Sequence, residues 1–232
     1  MYGDSVFAEY QPPYAPVYLE EPFSPETNTL LDQLPVGFRV LAKKGKIATD
    51  IVTVLSNIVE YEKQIRNRNG LLPQMAAVAR LPERKRYSDF WEACSCLLVP
   101  GHHFEKYLCF ALFCYVGVAF SPQRIYLAAS HTAFRTPRLL LTQQLPDFHV
   151  DSREEEQCLA WMWLVLTMSW IATEDMNSTT ARDLSTEFLE RFPTYSSWTA
   201  IEQLMAQFFC AESLTPVLKG WWDGLDASEP KI

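Results

Sequence analysis

The stretch "CLAWMWLVLTMSWIA", residues 158–172, decides the fold. It holds three tryptophans and almost no polar groups, with Glu154, Glu155 and Glu156 before it and Glu174 and Asp175 after it. A run of this kind is a membrane span, a helix lining a cofactor or the centre of a helical domain. The apolar part covers 15 residues, whereas crossing a bilayer takes about 20. Ser152 with Glu155 makes a capping-box pattern, and the three glutamates complement the positive end of a helix dipole. A helix apolar on all sides and too short to span is predicted to lie at the centre of a helical protein.

A second run of the same character lies at 107–120, within "HFEKYLCFALFCYVGVAF" (103–120). The two are predicted to form a central pair with amphipathic helices packed around it. The clearest of these runs from about Ile47 to Arg66, where Ile47, Ile51, Val54, Leu55, Ile58 and Ile65 recur at helical spacing and Gly70 and Pro73 close the segment. Further helices are expected at 87–98, as two short pieces between 122 and 145 split at Thr136-Pro137, and near 178–192, 197–210 and 215–225. Strand-type alternation is nowhere sustained, and 8 glycines are few for a fold built on tight turns. The expected fold class is all-α: a single multi-helix globular domain over 27–226, around two central apolar helices. A disordered or loosely docked acidic, aromatic tail at 1–26 and a short C-terminal tail at 227–232 flank it.

Charge is unevenly distributed. Residues 1–38 carry six acids and no Lys or Arg, residues 39–86 carry 11 basic and 4 acidic groups, and residues 87–232 carry 9 basic and 18 acidic groups. The net charge of −8 argues against broad phosphate binding, while the basic runs "KKGK" (43–46) and "RLPERKR" (80–86) keep a nuclear-import or phosphate patch in view beside a plain solvated face. The first 38 residues have neither the basic start nor the apolar run of a secretory signal, so the chain is not expected to be secreted. Six sparse cysteines suit a reducing compartment.

Catalytic patterns are missing. There is no Gly-x-Ser-x-Gly elbow, no glycine-rich phosphate loop and no dinucleotide fingerprint. Glu154, Glu155 and Glu156 point about 100° apart on a helix, so they cap rather than converge. Cys94, Cys96, His102, His103 and Cys109 cluster in sequence, but Cys-x-Cys is not the usual zinc spacer and Cys109 falls inside an apolar helix. No catalytic, cofactor-binding or metal-ligating residue is assigned, no cofactor is expected, and the chain is not read as an enzyme.

Four segments in matching order resemble the helical region that follows the zinc-cluster module in fungal-specific transcription factors. They are residues 27–56 with the Leu-Pro-x-Gly-Phe-Arg core Leu34–Arg39, residues 92–124, the helix "EEQCLAWMWLVLTMSW" (155–170), and residues 188–210 followed by Trp221 and Trp222. The DNA-reading head of that family needs six closely spaced cysteines. Here they stand at 94, 96, 109, 114, 158 and 210, so the zinc cluster is absent. The resemblance implies a nuclear transcription-regulator-like module, otherwise cytoplasmic, that works through protein–protein contacts made by its tail or an apolar groove. Its implied partners are a coactivator or a zinc-cluster transcription factor, in a homo- or hetero-dimer. Neither sequence-specific DNA binding nor a membrane is implied. The rival readings are an enzyme or binder for an apolar small molecule in a tryptophan-lined pocket between helices, and a membrane-associated helical protein.

Overall fold

A computed structural model describes residues 16–69, 103–120, 138–145, 147–173, 179–210 and 214–226. These residues build helices α1 (Pro25–Gln33), α2 (Val36–Lys43), α3 (Thr49–Asn69), α4 (His103–Phe120), α5 (Arg153–Thr173), α6 (Thr179–Arg191), α7 (Trp198–Gln207) and α8 (Thr215–Asp226). A 3₁₀ turn, Pro193–Tyr195, joins α6 to α7, and residues 138–144 are also helical. The fold is all-α: no strand occurs among the described residues, only an isolated bridge between Tyr18 and Ala48.

The helix containing the opening stretch is the axis of the molecule. Every side chain of α5 from Cys158 to Ile171 is buried. Its two hydroxyls do not disturb this, because Thr167 donates to Trp163 O at 3.0 Å and Ser169 to Leu166 O at 2.6 Å, which keeps both polar groups bonded within the helix. Helix α4 packs alongside and is buried from Tyr107 to Val116. Helices α2, α6 and α7 also rest on α5, while α3 rests on α4 and α1. No helix among the described residues is long and apolar enough to cross a membrane.

Helix α5 starts as its sequence dictates: Ser152 Oγ accepts the Glu155 N–H at 3.3 Å. The reciprocal bond is displaced by one residue, since the Glu155 carboxylate accepts from Asp151 N–H, not from Ser152. The amphipathic helix expected from Ile47 runs instead from Thr49 to Asn69, with Ile47 and Ala48 buried ahead of it. The helices expected near 178–192, 197–210 and 215–225 are α6, α7 and α8, and the one at 87–98 lies outside the described residues.

Two helices within 25–43 are not marked by periodicity, being too short to develop one. Ser24 accepts the Thr27 N–H and Pro25 opens α1. Helix α2 ends in a Schellman turn, with Gly45 at φ +63°, Lys46 N–H on Leu41 O and Gly45 N–H on Ala42 O. The expected tail boundary at residue 26 therefore moves: α1 begins at Pro25, and Leu19 and Phe23 already pack on the core. Residues 1–15 and 227–232 lie outside the described residues.

Phe38 of α2 is fully buried, edge-on to Trp161 at 5.3 Å and to Phe208 at 4.9 Å, and 5.2 Å from Phe209. The residue before it must be small. A Cβ on Gly37 would stand 2.4 Å from the Phe208 ring and 2.9 Å from the Gln207 carbonyl oxygen. Gly37→Ala is expected to lower unfolding stability by about 1–2 kcal/mol in urea titration. Gly220→Ala, where nothing lies within 4 Å of the new methyl, should raise it by about 1 kcal/mol through helix propensity.

Candidate functional site

The exposed features that converge lie at the N-terminal end of α5. Val36, Gly37 and Val40 of α2, Arg153, Glu154 and Gln157 of α5, and Gln207 and Phe208 at the end of α7 line a groove of about 220 Å³. Its apolar lining is continuous with the core through Phe208, and Val36 stands 49% exposed at its edge. Small-molecule sites usually enclose about 300–1,000 Å³, so this open groove suits a protein side chain better than a whole organic ligand.

The turn between α2 and α3 clamps this end. Lys44 Nζ lies 2.7 Å from Glu154, and Lys46 Nζ lies 3.2 Å from Glu155. The hydrogen bond from Lys44, with the helix's own backbone N–H, holds the Glu154 carboxyl below its ordinary range. Two of the three lysines of "KKGK" thus engage carboxylates of the same chain, which leaves that run a poor phosphate patch. The other basic run, 80–86, lies outside the described residues. The three glutamates do not converge: Glu154 and Glu155 take different lysines, and Glu156 points to solvent.

Beyond the clamp lies a buried carboxylate. Glu105, in the first turn of α4, is 6% exposed. Its Oε1 accepts the Ala48 N–H at 2.6 Å and its Oε2 accepts the Tyr18 hydroxyl at 3.2 Å. Burial first, then the charge and hydrogen bond of Glu105, push the Tyr18 phenol up to about 12 from 10. A raised phenol pKa means the stability this site contributes is fully present below pH 10 and is lost as pH climbs from 10 through 12, the native phenol itself staying protonated until about 12.

Trp161 and Trp163 serve packing. Trp161 Nε1 donates to Phe209 O at 2.9 Å and Trp163 Nε1 to Leu184 O at 2.8 Å. Phe38, Tyr115, Phe208 and Phe209 surround the first ring, and Phe192 meets the second. The tryptophan-lined pocket of the rival reading is occupied, at these two residues, by the protein itself.

A second polar centre sits deep between α4 and α5. The Arg138 guanidinium stacks 3.8 Å over Trp170 and donates to Ser169 O at 3.4 Å. Cys114 lies beside both. Burial pushes its thiol up to about 12, against the opposing influence of the Arg138 charge and the Ser169 hydrogen bond. A nucleophilic thiol needs the opposite shift. Of the cysteine–histidine cluster, Cys94, Cys96 and His102 lie outside the described residues, His103 opens α4, and Cys109 is buried within it. No group of three or more metal-binding side chains occurs among the described residues.

Sequence reasoning missed Tyr18–Glu105 and the two lysine clamps because each joins residues far apart in the chain. The one signal was an acid in the first turn of each apolar helix. No protein family, curated protein or solved structure matches the chain. Thiol chemistry is directly checkable. In the folded protein at about pH 8, Cys109, Cys114 and Cys158 should resist alkylation, and half-buried Cys210 should be labelled first of the four. Peptide mass spectrometry reads the order, and prompt labelling of Cys114 would contradict the burial described.

Proposed function

We propose that this chain is a transcription-regulator-like helical module that acts through protein–protein contacts, as its resemblance to the regulatory region of fungal-specific zinc-cluster transcription factors suggests. Its contact surface is the groove between α2, α5 and α7. The reading places it in the nucleus, alongside a coactivator or a zinc-cluster transcription factor that supplies the missing DNA-binding head.

One observation carries this reading. All four resembling segments meet at one cluster, Phe38, Tyr115, Trp161 and Phe208–Phe209, and the groove opens directly above it through Gly37 and Phe208. The residues that make the segments look alike thus shape the surface offered to a partner. Its apolar floor (Val36, Val40, Phe208) and polar rim (Arg153, Glu154, Gln157, Gln207) follow the usual anatomy of a protein contact.

The test uses the whole chain, because a cut after residue 38 would remove α1 and Phe38 from the core. Fused to an unrelated DNA-binding domain, the full chain should change expression of a reporter carrying that domain's site. Val36→Asp places a charge at the exposed groove edge without touching the core. It should reduce the effect about fivefold while leaving the urea midpoint in place. A silent wild-type fusion, or a Val36→Asp fusion as active as wild type, would overturn the proposal.

A further inference from the structure

The groove between α2, α5 and α7 is uneven in charge. Among the described residues, two ionised side chains line it, Arg153 and Glu154. Glu154 is neutralised from within the chain, since Lys44 Nζ lies 2.7 Å from its carboxylate. Arg153 is not. It is exposed, and its guanidinium makes no ion pair and no hydrogen bond among the described residues. The exposed acids nearest in sequence, Asp151 and Glu156, do not line the groove, and the rest of its polar rim, Gln157 and Gln207, is neutral. Arg153 also opens α5, so this cation stands at the positive end of a 21-residue helix.

An apolar seat lies in the same groove. Val36 is 49% exposed at its edge, Val40 is half-buried, and the Phe208 ring closes the bottom against Gly37. Seat and cation line one space of about 220 Å³, so a single short segment reaches both. A guanidinium stays charged at every physiological pH and presents paired donors that match a carboxylate. The same charge disfavours a basic segment.

Resting on the reading of this groove as a protein contact, we propose that its occupant is an acidic segment of another protein. That segment seats one bulky apolar side chain on Val36, Val40 and Phe208 and sets a carboxylate, within four residues of it, on Arg153. A second copy of this chain fits less well. Of its other exposed large apolar side chains, Leu139 and Val217 have no acid that close in sequence. Val17 does, in Glu20 and Glu21, but its segment is pinned to its own fold by Thr49 N–H on the Val17 carbonyl and by Leu19 against the core.

The experiment selects short random peptides displayed on phage against the immobilised full chain at low salt. Wild type should enrich a bulky apolar residue with Asp or Glu within four positions of it. Arg153→Glu should turn that acid into Lys or Arg, Arg153→Gln should keep the apolar residue and lose the acid, and Val36→Asp should enrich neither. For one selected peptide in fluorescence anisotropy, replacing its acid by lysine should weaken binding to wild type about fivefold, the upper worth of an exposed ion pair. The difference should shrink at about 0.5 M salt. A consensus without the acid, an acid preference that survives Arg153→Glu, the same consensus on Val36→Asp, or no enrichment by the folded wild type would overturn the proposal. So would a dimer in sedimentation velocity that Arg153→Glu dissociates, because a second copy would then hold the groove. Circular dichroism checks each variant, and if Arg153→Glu does not fold, Arg153→Gln decides by losing or keeping the acid preference. A silent reporter beside an acidic consensus removes the transcriptional role and leaves this partner chemistry standing. An active reporter beside a consensus without the acid removes the partner chemistry alone.

Discussion

A helix with no solvent face imposes its surroundings. From Cys158 to Ile171 every position of α5 must be covered, and each buried Leu or Met contributes about 1.5–3 kcal/mol only when water is excluded from it. One neighbour cannot wrap a cylinder. Helix α4 covers one side, α2, α6 and α7 take others, and the 138–144 segment reaches Trp170 through Arg138 and Thr142. The wide indoles make the fit directional. Trp161 and Trp163 each need a backbone carbonyl for the N–H, and those carbonyls belong to Phe209 and Leu184, so the tryptophans tie α5 to the end of α7 and to α6.

The N-terminal third depends on that axis through Phe38. Helices α1 and α2 hold 9 and 8 residues, lengths at which an isolated helix is marginal in water. Their order comes from local caps and from the seat that Phe38 finds among Trp161, Phe208 and Phe209. Gly37 allows the approach, and Arg39 folds back to donate to Asp32 O and Leu34 O at 3.1 Å each, bonding the carbonyls left open between the two helices. The same close approach leaves a groove, because a helix that touches its neighbour at a glycine cannot also fill the space to either side.

Electrostatics at this end follow the helix termini. Glu105 and Glu154–Glu156 stand in first turns, where the helix dipole favours them. Glu105, Glu154 and Glu155 also meet partners from the N-terminal segments: Lys44, Lys46, Ala48 N–H and Tyr18. Exposed lysine–glutamate pairs add little stability. Here they fix orientation, holding the α2–α3 turn beside the start of α5 and thereby bounding the groove. Lys43, in the same turn, stays exposed.

The sequence by itself determined the all-α class and the central placement of 107–120 and 158–172, because run length and all-round apolarity leave a helix no other stable environment. It also determined the start of α5, since a cap depends on residues three apart. Helices α6, α7 and α8 were legible from their amphipathic spacing. Helices α1 and α2 were not, because eight or nine residues complete barely two turns and show no period. Only the tertiary structure decided the groove, the lysine clamps and the Tyr18–Glu105 contact. Each joins residues separated by 87 to 110 positions or more, and no local pattern records which acid meets which donor. Residues 16–24 show the difference most clearly. Their prolines and mixed acids and aromatics read as a tail, and their docking rests on an alanine that cannot cap its own helix and on Glu105, 57 positions further on, that accepts its N–H.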